Sequence, residues 1–282
     1  YKRQLYPFWD RHLKNKRLKD PLPPVMAFET GSNRWSTFDA WPPVEETKPA
    51  RIYLHPDGGL SFEPPADNGE PFTEYVSDPA KPVPYQPRPI QPMGYENDHA
   101  WPRWLVSDQR EASGRPDVVA FVSEILTAPV KISGRPIAHL VASTSGTDSD
   151  WVVKLIDLYP DQVAGQAELG GYQLMVSADI FRGRYRESLE TPGPITPDTP
   201  LPYRFALPTA NHVFRAGHRI MVQVQSSWFP LYDRNPQTFV PSIFWAKPED
   251  FQKAVQRIHH APGQASFVEL PVVEWTAGGA AP

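Results

Sequence analysis

Proline is the feature that most limits what this chain can fold into. The 282 residues include 35 prolines, about 12 % where an average protein has about 5 %. Proline lacks a backbone donor, so it interrupts helices and the interior of sheets alike. Glycine is not raised, at 17, and strand-like runs recur along the chain. This combination favours an all-β domain with proline-stiffened connections over a disordered chain.

Strand patterns are densest in the second half of the chain. In DWVVKLIDLYP (150–160) both alternating faces are largely apolar, which predicts a central strand between two packed layers. FQKAVQRIHH (251–260) also fits a helix, but its β-branched residues favour a strand. Eight or more strands punctuated by Pro and Gly predict a jelly-roll β-sandwich. The predicted strands are VMAFET, ARIYLH, VVAFVSEIL, APVKISG, PIAHLVAST, DWVVKLIDLYP, YQLMVSADIFRGRYR, LPYRFALP, HRIMVQVQSS, AVQRIHH and SFVELPVV, with a hairpin turn at HPDGGLSF.

The first twenty residues differ from the rest. Their apolar side chains have the spacing of an amphipathic helix, and DPLPP then ends the helix and marks a domain boundary. We therefore predict a helix in residues 1–20, a sandwich domain over 21–275 and a disordered tail at 276–282. The proline-rich residues 63–103 are expected to wrap the surface. The apolar stripe of the helix is Leu5, Phe8, Trp9 and Leu13.

Composition excludes several classes of function. The net charge of -4 and the pI of about 6.1 argue against nucleic acid or an anionic membrane as a partner, and no apolar run approaches a membrane span. Without cysteine there is no disulfide, thiolate metal site or cysteine nucleophile. The eight histidines form neither HxH nor HExxH, so we expect no metal and no cofactor. Asp148 and Asp150 lack a calcium-binding loop and are expected to cap a turn.

No set of residues in the sequence composes a catalytic site. A nucleophile elbow needs Gly-x-Ser-x-Gly at a strand-to-helix turn, and no such pentapeptide occurs. The nearest serine cluster, STSGTDSD (143–150), lies between strands. His139 is predicted to be a half-buried strand residue, and His259 and His260 to point to opposite faces of a strand. We therefore predict no catalytic residue in this chain.

The loop SSWFPLYDRNPQT (226–238), which follows the strand pattern GHRIMVQVQ, is the candidate functional site. It combines large aromatics, which are typical of interface centres, with an arginine that can fork onto a carboxylate. Two interpretations stay open. The loop docks against another domain and forms a rim of its substrate pocket, or it only stabilises the end of its own sandwich. The candidate residues are Trp228, Phe229, Tyr232, Asp233, Arg234 and Asn235.

Several segments resemble a known family. YVSDPAKPVPY, WLVSDQR, DVVAFVSEILTAPVKISG, TSGTDSDWVVKLIDLYPD, RGRYRESL and GHRIMVQVQSSWFPLYDRNPQT are similar, in order, to the C-terminal part of α-amino-acid ester hydrolases. These enzymes belong with cocaine esterase, glutaryl-7-aminocephalosporanic acid acylase and X-Pro dipeptidyl-peptidases. PFWDRHLKNK followed by FETGSNRW resembles the last helix of the hydrolase domain leading into the jelly roll.

The resemblance implies a serine hydrolase made of an α/β-hydrolase domain, a helical cap and this sandwich. It would act by acyl transfer with a Ser-His-Asp triad that lies upstream of this chain. The implied partners are the hydrolase and cap domains and a small-molecule ester or amide; a homo-oligomer stays open. VSDPAKPVPY and TSGTDSDWVVKLID are closest to the branch acting on α-amino esters and β-lactam amides. The resemblance also implies a periplasmic or secreted protein.

A free-standing carbohydrate-binding module is the alternative interpretation. A jelly roll with nine tryptophans could stack sugars on exposed aromatic rings. Tryptophan and tyrosine are more often core and interface residues, and the apolar stripe of the first helix calls for a packing partner. The sequence therefore favours an accessory domain of a hydrolase.

Overall fold

The structure, a computed structural model, describes residue 2 and residues 4–19, 22–66, 69–86, 89–90 and 103–273. The predicted tail at 276–282 and part of the 63–103 segment lie outside these residues. The described chain contains α1 (Leu5–Lys14), β1 (Val25–Glu29), β2 (Arg34–Phe38), β3 (Thr47–Leu54), β4 (Gly59–Ser61), β5 (Phe72–Ser77), α2 (Arg110–Ser113), β6 (Val118–Ser123), β7 (Val130–Gly134), β8 (Ile137–Thr144), β9 (Asp150–Leu158), β10 (Gln173–Arg182), β11 (Leu201–Ala206), β12 (Ala210–Phe214), β13 (Arg219–Gln225), β14 (Ala254–His259) and β15 (Phe267–Val273).

The fold is an all-β sandwich, as the sequence predicts. Thirteen strands are connected by hydrogen bonds. Ten of them follow one path in the order β10-β9-β13-β6-β4-β3-β15-β8-β14-β5; off this path, β11 pairs with β8, and β7 pairs with both β12 and β15. The pairs are antiparallel except for β4 with β6. Side chains from both ends of this strand order meet in one apolar core. β1 and β2 form a separate two-stranded hairpin.

β9 is the central strand that its two apolar faces predict. It lies between β10 and β13, and eight of its nine residues are buried. One face, with Trp151, Val153 and Leu155, belongs to the core. The other face carries Lys154, whose Nζ donates to Gln109 Oε1 at 2.8 Å and lies 5.1 Å from the ring centroid of Trp228. The segment around Gln109 and the loop after β13 therefore cover this outer face.

The ambiguous segment FQKAVQRIHH contains strand β14, so the strand prediction is confirmed. Its two histidines contact different partners: His259 Nε2 lies 3.0 Å from Ser143 Oγ, and His260 Nε2 lies 2.8 Å from Thr73 Oγ1. His139, in β8, stacks on Phe267 with 4.4 Å between ring centroids. Among the described residues, no helix is long and apolar enough to cross a membrane.

Lys154 generates a prediction about stability. Burial lowers the pKa of Lys154 from 10.5 to about 7, so between pH 7 and 10 the unfolded chain binds a proton that the folded chain does not. Stability should therefore rise with pH in this window. Lys154→Met should stabilise the domain at pH 7 by about 1–4 kcal/mol, because it removes a buried charge, and should flatten the rise. Urea unfolding at pH 7 and pH 9.5 measures both effects.

Lys131→Met is the matched control. Lys131 Nζ lies 2.7 Å from Glu29 Oε2, so its removal leaves a largely buried carboxylate without its cation and should destabilise the domain by about 1–3 kcal/mol. A Lys154→Met protein that is less stable than wild type at pH 7 would contradict the prediction.

Candidate functional site

The loop 226–238 starts where β13 ends, beside the first residues of β9. Gln225, the last residue of β13, pairs with Val152 and with Val118. The strand pattern GHRIMVQVQ thus places the loop at the Asp150 end of the sandwich. The six candidate residues do not share one environment, because Trp228 and Asn235 are buried, Tyr232 is half-buried and the other three line a groove.

Asn235 belongs to the sandwich itself. It is buried, and its Nδ2 donates to Asp150 Oδ1 at 2.8 Å while its Oδ1 accepts from the backbone N of Gln237 at 2.7 Å. Arg182 Nε lies 3.4 Å from Asp150 Oδ2. Burial raises the pKa of Asp150 to about 7, although the charge of Arg182 opposes the rise. This part of the loop therefore stabilises the end of the strand.

Asp148 forms a second buried ion pair in the same region. Its Oδ2 accepts from Arg184 Nε at 2.8 Å, and its Oδ1 accepts from the backbone N of Ser149 at 2.9 Å. Of the two residues predicted to cap a turn, Asp148 accepts from an adjacent backbone amide, whereas Asp150 begins strand β9 and binds Asn235. Within the residues that the structure describes, no group of three or more His, Cys, Asp or Glu side chains could hold a metal ion.

Trp228 also points inward. Only 3 % of its surface is exposed, and its ring contacts Trp104 edge-on at 5.9 Å and stacks on Tyr232 at 6.1 Å. The half-buried Tyr232 is hydrogen-bonded to Asp179. These aromatic residues fix the loop on the outer layer of the sandwich instead of presenting a free surface.

Phe229, Asp233 and Arg234 line an open groove of about 1030 Å³. Arg234 Nη1 donates to the carbonyl of Pro79 at 2.9 Å, and its guanidinium lies 4.9 Å from the ring centroid of Phe251. Asp233 Oδ1 accepts from Arg182 Nη2 at 3.0 Å. The charged side chains of this side of the groove are therefore held in place by internal partners.

Two exposed aromatic residues that the sequence analysis missed lie in or next to the lining of the groove. Phe244 lines the groove, and Trp245 follows it in a 3₁₀ turn. They are 79 % and 84 % exposed, which is unusual for large rings on a purely solvated surface. The sequence PSIFWAKPED contains a signal for an exposed aromatic pair, because two adjacent aromatic residues lie between two prolines. Asp78 and Lys253, paired at 3.1 Å, complete the rim.

Two constellations resemble parts of a hydrolase triad but lack what catalysis requires. Ser143 contacts His259, yet it is buried, so an ester carbonyl has no approach to its Oγ. Thr30 Oγ1 lies 2.8 Å from His212 Nδ1, and His212 Nε2 lies 3.3 Å from Asp157 Oδ2. The backbone N of Thr30 already donates to the carbonyl of Asn211, so it cannot serve in an oxyanion hole.

The groove thus combines internally paired charges with exposed rings, in a chain without an assembled catalytic site among its described residues. Residues 17–269 match the family of the X-Pro dipeptidyl-peptidase C-terminal non-catalytic domain. The chain belongs to this family. The resemblance identified from the sequence is confirmed.

Relatives of the chain are hydrolases that extend well beyond it. Cocaine esterase from Rhodococcus sp. (strain MB1 Bresler) is 33 % identical over 277 residues, which are 95 % of this chain and 45 % of the esterase. A solved α-amino acid ester hydrolase is 54 % identical with a TM-score of 0.89, covering 95 % of this chain and 44 % of that one. An aminopeptidase from a marine sediment Thaumarchaeota archaeon is 50 % identical with a TM-score of 0.91, covering 97 % and 44 %. The chain therefore spans less than half the length of these relatives.

Because the loop contains both buried and partly exposed residues, substitutions of Asn235 and Asp233 should differ in their effect on the free energy of unfolding. Asn235→Ala should destabilise the chain by about 2–3 kcal/mol, because it removes the amide donor to the buried Asp150 Oδ1 and leaves the buried Gln237 backbone N without its acceptor. Asp233→Asn, at the partly exposed rim, should cost less than about 1 kcal/mol. Chemical denaturation of both variants at pH 7 measures the difference. Equal costs would show that the loop is not divided in this way.

Proposed function

We propose that this chain is the non-catalytic domain of a serine hydrolase that acts by acyl transfer on α-amino-acid esters or β-lactam amides. In this proposal residues 1–20 are the last helix of the hydrolase domain, and the Ser-His-Asp triad lies in the rest of the full-length protein. The observation that carries the proposal is the 54 % identity to an α-amino acid ester hydrolase over nearly the whole chain. The absence of an assembled triad among the described residues agrees with it.

The groove supports a docking role toward the catalytic part. Phe244, which lines the groove, and its exposed neighbour Trp245 offer apolar area of the kind found at interface centres. Asp233 and Arg234 have internal partners, so the surface is pre-organised and little side-chain entropy is lost on binding. In this proposal Phe229, Asp233 and Arg234 form the interface and a rim of the substrate pocket. Trp228, Tyr232 and Asn235 support the groove from beneath.

The division of labour between the two parts can be tested directly. The 282-residue chain should neither hydrolyse an amino-acid methyl ester nor react with a fluorophosphonate probe, because it supplies no activated serine. The full-length protein encoded by the gene should do both, with a burst of product from p-nitrophenyl acetate. Stoichiometric labelling of the isolated chain would contradict the proposal. So would a full-length protein that is folded but inert toward the probe and the esters.

The docking role predicts an effect of Trp245→Ser that appears only in the full-length protein. The side chain is exposed in the isolated chain, so the melting temperature of that chain should change by less than about 2 °C. In the full-length protein the variant should uncouple the unfolding of the two parts in calorimetry and raise KM, because it removes an interface anchor. Val44→Ser, which alters an exposed apolar residue outside the groove, is the control and should change neither property.

The same variant distinguishes the carbohydrate-binding alternative. If Trp245 is a sugar-stacking ring, the isolated chain should bind a glycan array at micromolar strength and lose that binding in Trp245→Ser. Such a result, together with normal KM and cooperative unfolding of the full-length variant, would replace the docking role.

A further inference from the structure

The β1–β2 hairpin presents an apolar outer face that nothing described in the chain covers. Phe28 and Trp35 are directly opposite each other in the register, and Met26 lies on the same face. Their exposed fractions are 44 %, 56 % and 37 %, and the two rings meet edge-on at 5.5 Å. Contiguous exposed aromatic and apolar side chains of this kind mark interaction sites.

The inner face of the hairpin is attached to the sandwich by polar contacts. Glu29 accepts from Ser36 Oγ at 3.0 Å and pairs with Lys131 of β7 at 2.7 Å. Thr30 exchanges two backbone hydrogen bonds of 3.0 Å with β12, one to the carbonyl of Asn211 and one from the N of Val213. A two-stranded ribbon is only marginally stable alone, so these contacts hold its outer face in a defined position.

The tip of the hairpin is fixed more tightly still. Gly31 has a φ of +83°, and a Cβ there would collide with the carbonyl of Val213. Arg215 donates to the carbonyl of Gly31, and the Thr30 hydroxyl contacts His212, which faces Asp157. The apolar face is thus pre-organised for binding, which reduces the entropy lost when a partner docks.

The hairpin and the groove lie at opposite ends of β9. Asp150, beside the groove loop, contacts Asn235, and Asp157 faces the histidine that holds the hairpin. Asp157 follows Asp150 by seven residue steps along the strand, a distance of roughly 23 Å. The part of the relatives beyond this chain is more than half of their length. A compact part of roughly 300 residues has a radius of gyration of about 19 Å, so it can reach both surfaces.

We propose that the outer face of the β1–β2 hairpin, formed by Met26, Phe28 and Trp35, is a second docking surface for the catalytic part of the same protein. The hairpin face and the groove together bind the catalytic part, at two separate surfaces. This inference rests on the proposed function. A partner bound at one surface meets the other at high effective concentration, so each contact strengthens the other without being strong alone.

Hydroxyl-radical footprinting with mass spectrometry tests the proposal on the unmodified protein. Oxidation of Trp35, Phe28 and Met26 should be at least about threefold slower in the full-length protein than in the 282-residue chain, because interface centres exclude water. Leu189, which is 81 % exposed and lies on neither surface, should oxidise equally in both. Unchanged rates at the hairpin would overturn the proposal. Protection that appears in the isolated chain as its concentration rises would also overturn it, because the occupant would then be a second copy.

A variant tests whether the two surfaces hold one partner. Trp35→Ser in the full-length protein should raise the oxidation rate of Trp245 severalfold, since loss of one contact loosens the other. Leu189→Ser should leave that rate unchanged. No change at Trp245 in folded Trp35→Ser protein would overturn the two-point arrangement. Fluorophosphonate labelling of the same samples reports the proposed activity independently, so failure of the activity and failure of the hairpin contact are distinguishable.

Discussion

Ionisable side chains buried along β9 are the constraint on which the rest of the structure depends. Asp150, Lys154 and Asp157 all have 1 % or less of their surface exposed, and a buried polar or charged group must be paired or hydrogen-bonded to be tolerated. Each one therefore recruits a different segment: Asn235 of the groove loop, Gln109 of the outer layer, and His218 at 2.8 Å from Asp157. The hydrogen-bond partners that these buried side chains require therefore fix the positions of the surface segments on β9.

This arrangement explains how a non-catalytic domain can offer rigid surfaces at both ends. Apolar packing alone specifies position loosely, whereas a satisfied buried hydrogen-bond network has few alternative geometries. The groove loop is held through Asp150, and the hairpin is held through the Asp157–His212–Thr30 contacts. The aromatic rings that face outward therefore sit on fixed supports. Such supports suit docking better than flexible loops do, since less entropy is lost on association.

The sequence predicted the fold better than it predicted the site. Apolar alternation located β9, β13 and β15, because the local hydrophobic pattern of these strands reflects which of their side chains are buried. It missed β2, β5 and β12. In β12 the polar Asn211 and His212 are buried, because β7 pairs with this strand and Thr30 of the hairpin region contacts it. The loop composition pointed to the end of the sandwich where the groove lies. It could not separate buried Asn235 from groove-lining Arg234, because that difference depends on Asp150, 85 residues away. The exposure of Trp245 is likewise a tertiary property.

The contacts from Asp157 through His212 to Thr30 show why side-chain identity alone does not make a catalytic site. An acid, an imidazole and a hydroxyl are in contact, as in a serine hydrolase. Yet the carboxylate also accepts from His218, and the amide beside the hydroxyl is bonded to β12. Catalysis needs donors left free for the developing oxyanion, whereas the backbone N of Thr30 is used to attach the hairpin to β12. The use of this amide therefore identifies the cluster as a structural attachment of the hairpin.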